Sequence, residues 1–84
     1  MNNREEIQQF IEENFLTGNK KDFIPGNSFF KSGKIDHDGF LELICFLEER
    51  FNILFKEDEL IQDNFDTFDK INEQVVLKNS GARN

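Results

Sequence analysis

Two aspartates flank the only histidine of the chain in Asp36-His37-Asp38-Gly39, and these are the side chains best suited to chemistry. Their order is similar to the acidic core of an EF-hand calcium loop. If Gly39 is the sixth position of such a loop, however, Lys34 and Cys45 stand at the first and twelfth positions, where calcium needs carboxylates. The spacing therefore argues against calcium binding.

Acid–base, nucleophilic and zinc chemistry are no better supported by these residues. Adjacent side chains at a helix start point in different directions, and hydrolysis would also need a nucleophile and an oxyanion site. His37 and Cys45 do not form a zinc ligand set of recognised spacing. We expect Cys45, on the apolar side of its helix, to pack as a small hydrophobic residue. The sequence thus predicts a protein with no enzymatic activity and no metal site.

The segment from Gly33 to Ile53 reads GKIDHDGFLELICFLEERFNI, a short loop followed by a strongly apolar helix. It resembles the carrier helix of acyl and peptidyl carrier proteins, whose pattern is approximately G-x-[IV]-D-S-[LM]-x-x-x-E-[LI]-[IV]-x-x-[LI]-E-x-x-[FY]-x-[IV]. Identical or similar residue types stand at Gly33, Ile35, Asp36, Glu42, Leu43, Ile44, Leu47, Glu48, Phe51 and Ile53. Farther along, Glu57 to Leu60 and Asn64-Phe65-Asp66-Thr67 are similar to the short third helix and the start of the last helix in that family.

In that family the serine of the pattern carries 4'-phosphopantetheine, and the thiol of this arm carries the acyl group. Here Asp36 matches the aspartate before the serine, and His37 stands at the serine position. Because imidazole cannot form the stable phosphoester that holds the arm, no phosphopantetheine is expected on the chain as it stands. Ser32 and Ser28 precede the helix and Ser80 lies in the tail, so none is expected to replace the missing serine.

The resemblance also implies a docking surface, because partner enzymes of this family bind the acidic face of the second helix with Arg and Lys patches. Comparable charge is supplied here by Asp36, Asp38, Glu42, Glu48 and Glu49. Charge complementarity of this kind mainly sets encounter rate and orientation, with modest affinity. An ordinary solvated helix face explains Glu48 and Glu49 almost as well, whereas Asp38 replaces a residue that is usually apolar.

With 17 acidic and 10 basic side chains, the 84-residue chain has a formal charge of −7. This charge disfavours nucleic acid and anionic membranes and favours basic protein surfaces as partners, although acidity also serves solubility alone. The single cysteine excludes an intramolecular disulfide and favours a reducing compartment. No apolar run has the length of a membrane span, and the N-terminus lacks the pattern of a signal peptide. We expect a cytoplasmic monomer.

Apolar periodicity predicts an all-α domain over residues 1–84, and the resemblance implies that it is a four-helix bundle of the acyl-carrier type. Three longer helices and a short third one are expected over Asn3–Leu16, Asp36–Asn52, Glu57–Leu60 and Thr67–Leu77. Asp36 is the predicted cap of the second helix, and Asp66 or Thr67 that of the last. Gly18 is predicted to end the first helix, and residues 78–84 to fray.

Side-chain burial can also be predicted from these patterns. In the first helix, Ile7, Phe10, Ile11 and Phe15 form the apolar stripe, with Arg4, Glu5, Glu6, Glu12 and Glu13 turned outward. In the second, Leu41, Leu43 and Cys45 are expected to widen the stripe formed by Phe40, Ile44, Leu47 and Phe51. The long loop between these helices contains Phe23, Ile24, Phe29 and Phe30, so we expect it to pack onto the helices.

The resemblance and these features together predict a non-enzymatic domain of the acyl-carrier-protein type. It would dock on enzymes of fatty-acid, polyketide or nonribosomal-peptide biosynthesis and would lack the phosphopantetheine arm. Two alternatives stay open: a true acyl carrier with an engineered Ser-to-His change, and a stand-alone regulatory or protein-interaction adaptor.

Overall fold

Three α-helices make up most of the computed structural model, which describes residues 2–16 and 24–81. Their bounds are Asn3–Phe15 for α1, His37–Phe51 for α2 and Phe68–Gly81 for α3. No β-strand occurs in those two ranges, so the all-α prediction is confirmed for them. Within the same ranges, no helix has both the length and the apolar character needed to cross a membrane.

Side-chain caps explain where the three helices begin. Asn2 and Asp36 each accept a 2.8 Å hydrogen bond from the backbone N–H three residues ahead. The hydroxyl of Thr67 accepts the equivalent bond at 3.2 Å, so Thr67 caps α3. Each cap satisfies an N–H group that the first helical turn leaves without a partner, and is worth about 1 kcal/mol.

The ends of α1 and α2 also lie near their predicted positions. Helix α1 ends at Phe15, one residue before the expected Leu16. Helix α2 is closed by Asn52, whose backbone is left-handed with φ of 54° and whose N–H donates to the Glu48 carbonyl. The predicted stop at Gly18 lies outside the described residues.

Helix α3 is longer than predicted. The predicted end at Leu77 is wrong, because the helix continues to Gly81; residues 82–84 lie outside the described part. Lys78 forms an ion pair with Glu59 at 2.5 Å and lies 5.9 Å from the centre of the Phe55 ring. These contacts tie the last turns of α3 to the segment that precedes the helix.

The predicted short third helix consists instead of two isolated 3₁₀ turns. They span Glu57–Glu59 and Gln62–Asn64, and the four-helix count is therefore not confirmed. A carboxylate oxygen of Glu59 accepts from the Lys56 N–H at 2.6 Å, which closes the first turn. Three residues cannot sustain the i to i−4 ladder of an α-helix, whose first turn is costly to form.

The core is built largely from phenylalanine and isoleucine. Phe65 is fully buried and packs edge-to-face against Phe40 and Phe55, with ring centres 5.6 and 5.2 Å away. Such edge-to-face pairs stabilise beyond the area they bury. The buried hydrophobic residues are Ile7, Ile11, Leu16, Phe29, Ile35, Phe40, Leu43, Ile44, Leu47, Ile53, Phe55, Phe65, Phe68, Ile71 and Val75.

A polar clamp holds the described part of the long loop against the start of α3. Both carboxylate oxygens of Asp66 lie 2.7 Å from the Ser28 hydroxyl, and one of them accepts from the Phe30 N–H at 3.1 Å. The Asp66 carbonyl accepts from the N–H of Phe29, whose side chain is buried. The prediction that the loop packs onto the helices is confirmed at Phe29. It is wrong at Ile24, which is exposed, and Phe23 lies outside the described residues.

Three burial predictions on the helices are wrong. Glu12 is buried rather than turned outward, and the amide of Gln8 donates to its carboxylate at 3.0 Å. Leu41 is half exposed and Cys45 is exposed, whereas both were expected in the apolar face of α2. Fewer of the apolar residues of α2 are therefore buried in the core than the sequence predicts.

Candidate functional site

The start of α2 is fixed by the loop residues immediately before it. Gly33 adopts φ of 76°, a left-handed conformation that glycine reaches without strain, and its N–H donates to the Phe30 carbonyl. The N–H of Ile35 donates to the Phe29 carbonyl at 3.2 Å, and the Ile35 side chain is buried. Because both bonds anchor the chain just before the helix, the next residues are presented at a defined position.

Asp36 and Gly39 then lock the first turn. Asp36 has an extended backbone, and its carboxylate accepts from the Gly39 N–H while its carbonyl accepts from the Phe40 N–H. A Cβ on Gly39 would lie 2.9 Å from a ring carbon of Phe15, a distance that real Cβ atoms do not tolerate. A side chain at position 39 would therefore force the Phe15 ring of α1 to shift.

His37 is the first residue of α2, and its side chain is exposed. Asp38 follows it and is also exposed, in the turn where a negative charge complements the partial positive charge of the helix N-terminus. An imidazole at this position does not fit a group that is held through a serine phosphoester. It remains able to donate or accept hydrogen bonds at the surface.

Two hydroxyl groups in the preceding loop are already engaged. The Ser32 hydroxyl donates to the Phe29 carbonyl at 3.2 Å, and the Ser28 hydroxyl donates to the Asp66 carboxylate. The Ser32 hydroxyl is thus engaged within its own loop, and the Ser28 hydroxyl is engaged by the residue that precedes Thr67, the cap of α3. Among the residues that the structure describes, no three His, Cys, Asp or Glu side chains converge to hold a metal ion.

Apart from Asp36, which caps α2, the predicted docking carboxylates divide into two groups. Asp38, Glu42 and Glu49 are exposed, and their spacing of four and then seven residues places them on one stripe of α2. Glu48 is half-buried, and its carboxylate accepts from the Phe55 N–H at 3.0 Å. Glu48 therefore supports the chain that follows α2, whereas the other three carboxylates face solvent.

A groove between α1 and α2 was not found by sequence reasoning. Its lining is formed by Phe10, Asn14, Leu41, Glu42, Cys45, Phe46 and Glu49. Two of these lining residues, Phe10 and Phe46, stack on each other, with ring centres 3.9 Å apart and planes inclined by 11°. The signal that could have found it is the spacing of Leu41 and Cys45, four and eight residues after His37, which places all three on one exposed line.

Comparison with known proteins adds no assignment to this geometry. No protein-family model matches the chain, and no curated protein or solved structure matches it either.

Proposed function

We propose that this chain is an acyl-carrier-protein-like domain without enzymatic activity, which docks on basic surfaces of enzymes of fatty-acid, polyketide or nonribosomal-peptide biosynthesis. It lacks the 4'-phosphopantetheine arm because His37 stands at the serine position. The observation that carries the proposal is the start of α2, where the Asp36 cap presents residue 37 to solvent beside an acidic stripe. The resemblance of the sequence over Gly33–Ile53 supports the same interpretation.

The stripe of Asp38, Glu42 and Glu49 supports docking rather than catalysis. Carboxylates spaced along one exposed helix face provide charge that orients an oppositely charged partner. Contacts of this type mainly raise the association rate with an oppositely charged surface, and they weaken as salt increases. We therefore propose transient binding to biosynthetic enzymes, by a monomer of cytoplasmic location.

The test is loading by a phosphopantetheinyl transferase of broad specificity with coenzyme A, followed by intact mass. We expect no mass increase for the wild-type chain, because residue 37 offers no hydroxyl. We expect the His37→Ser variant to gain the mass of one phosphopantetheine, and the matched His37→Ala variant to gain none. Circular dichroism of the three proteins establishes that each is folded before loading is compared.

The outcomes separate the proposal from its alternatives. A full mass increase on the wild-type chain would overturn the claim that the arm is absent. Failure of a folded His37→Ser variant to load would favour the stand-alone adaptor, because the surface would then lack what the transferase recognises. A true carrier with an engineered Ser-to-His change would also load after His37→Ser. The natural gene sequence distinguishes these two cases, because it encodes serine at position 37 in the engineered case and histidine in the other.

A further inference from the structure

The exposed apolar groove between α1 and α2 does not include His37, but it shares Glu42 and Glu49 with the acidic stripe described above. Leu41 is 50% exposed, and Cys45 is exposed beside it. Phe10 and Phe46 are only partly covered, although they stack on each other and make edge-to-face contacts with Phe15 and Phe51. Apolar side chains contiguous with a cleft are a feature of interaction surfaces.

The charges around this groove are predominantly negative. Glu42 and Glu49 line it, and Glu6 and Glu13 lie on the adjoining surface beside Phe10 and Phe46. Within the described part of the chain, the cation lining this region is Arg50, which pairs with Glu6. Four carboxylates against one guanidinium leave a local charge of −3.

These two properties define the kind of partner that fits. We propose that the groove binds an amphipathic helix of a partner protein, with an apolar side chain placed against Phe10, Leu41 and Phe46 and with Lys or Arg residues facing Glu13, Glu42 and Glu49. This inference rests on the proposed docking function and deepens it by naming the chemistry of the partner. Helix-in-groove binding uses apolar anchors at i, i+3, i+4 and i+7, and flanking charges set orientation.

A second copy of this chain is a poorer occupant than a basic helix. The chain carries a net charge of −7, and its first helix presents acidic residues on its outer face. Placing that face against the groove would bring like charges together, which is unfavourable. A cationic helix removes apolar area from water and at the same time pairs the carboxylates that surround it.

The experiment uses a synthetic helical peptide of about 18 residues, with Leu on one face and Lys on the other, a length of about five turns. A peptide with Glu in place of every Lys is the control for charge. Each is titrated into the full ¹⁵N-labelled chain, and amide shifts in two-dimensional NMR spectra report where it binds. We expect the Lys peptide to shift amides of α1 and α2 that flank Phe10, Leu41 and Phe46, and the Glu peptide to shift none.

Matched variants separate the groove from general attraction to an acidic protein. Leu41→Ser removes an apolar anchor, whereas Leu54→Ser removes a leucine that is 79% exposed outside the groove. Glu49→Gln and Glu57→Gln each remove one exposed negative charge, but only Glu49 lines the groove. We expect Leu41→Ser to weaken binding about five-fold or more, as loss of a buried anchor does, and Leu54→Ser to leave it unchanged. Glu49→Gln should weaken binding more than Glu57→Gln does.

Several results would overturn the inference. They are equal losses within either pair of variants, amide shifts spread over all the helices, and a concentration-dependent increase in mass that reveals self-association through the groove. The result is independent of the loading test. If His37→Ser loads and the Lys peptide misses the groove, the groove inference fails while the carrier proposal stands; the opposite pattern keeps the groove and favours an adaptor.

Discussion

The clamp formed by Asp66 should be among the most sensitive polar contacts of this fold. Asp66 is half-buried and accepts hydrogen bonds from the Ser28 hydroxyl and the Phe30 N–H. Bonds to a charged acceptor contribute about 1.5–3 kcal/mol each when buried, and partial exposure favours the lower value. We therefore expect Asp66→Ala to lower the free energy of unfolding by about 2–3 kcal/mol. For a domain of this size this corresponds to a fall in Tm of roughly 10–20 °C.

A double-mutant cycle isolates the contact between the two side chains. Ser28→Ala removes the hydroxyl and also the bond that it accepts from the Lys31 N–H. Once Asp66→Ala is present, the hydroxyl has lost its carboxylate, so we expect the two losses to fall short of additivity by about 1 kcal/mol. Because the chain contains no Trp or Tyr, urea unfolding is followed by far-ultraviolet circular dichroism.

Asp58→Ala provides the control, since Asp58 is exposed in the first 3₁₀ turn. Surface changes of this type alter the unfolding free energy by no more than about 0.5 kcal/mol. If Asp66→Ala costs no more than Asp58→Ala, or if the cycle is additive, the loop is not held by this carboxylate. Packing of the buried Phe29 would then be the principal attachment of the loop.

Three further predictions test the local geometry. Gly39→Ala should lower the free energy of unfolding by about 1–3 kcal/mol, because the new Cβ would overlap the Phe15 ring. Gly26 has open space around it, so Gly26→Ala should be close to neutral in the same urea titration. The pKa of Glu59 lies below its ordinary value of 4.5, chiefly because of its hydrogen bond with Lys78. The ionised Glu59 side chain therefore stabilises the fold at pH values above 4.5, and this stabilisation is lost as pH falls through the lowered pKa. NMR titration of the carboxyl carbon should show this pKa rising in Lys78→Gln; an unchanged value would refute the pairing. Cys45 should react with a thiol reagent as fast in the folded chain as in urea, and strong protection would contradict its exposure.

The helices could be predicted from sequence because local chemistry determines them. Asp36 is a strong cap residue before an apolar run, and the structure places its carboxylate on the Gly39 N–H as expected. The segment at Glu57–Leu60 carries no comparable periodicity, and a few residues of helix-forming type do not reveal whether one continuous turn or two separate ones will form.

Side-chain exposure was harder to predict because it depends on which elements are neighbours. Leu41 and Cys45 are apolar residue types, and on that ground the sequence predicts that they widen the buried stripe of α2. In the structure α1 covers Phe46 but leaves both of these exposed, so the groove arises from helix packing rather than from composition. Glu48 is the opposite case, because a residue expected to face solvent is engaged in the structure. Its carboxylate accepts from the N–H of Phe55, seven residues away, a contact that helical periodicity does not predict.

Replacement of residue 37 should test phosphopantetheine loading with little change in the stability of the fold. His37 is exposed at the first position of α2, while Asp36 provides the cap and Ile35 the buried anchor. A small polar residue fits the same place, so we expect His37→Ser to change the unfolding free energy by no more than about 0.5 kcal/mol. Stability thus places little constraint on whether histidine or serine stands there. A failure of the folded variant to load would therefore reflect the surface around residue 37, including Asp38 and Glu42, and not a damaged bundle.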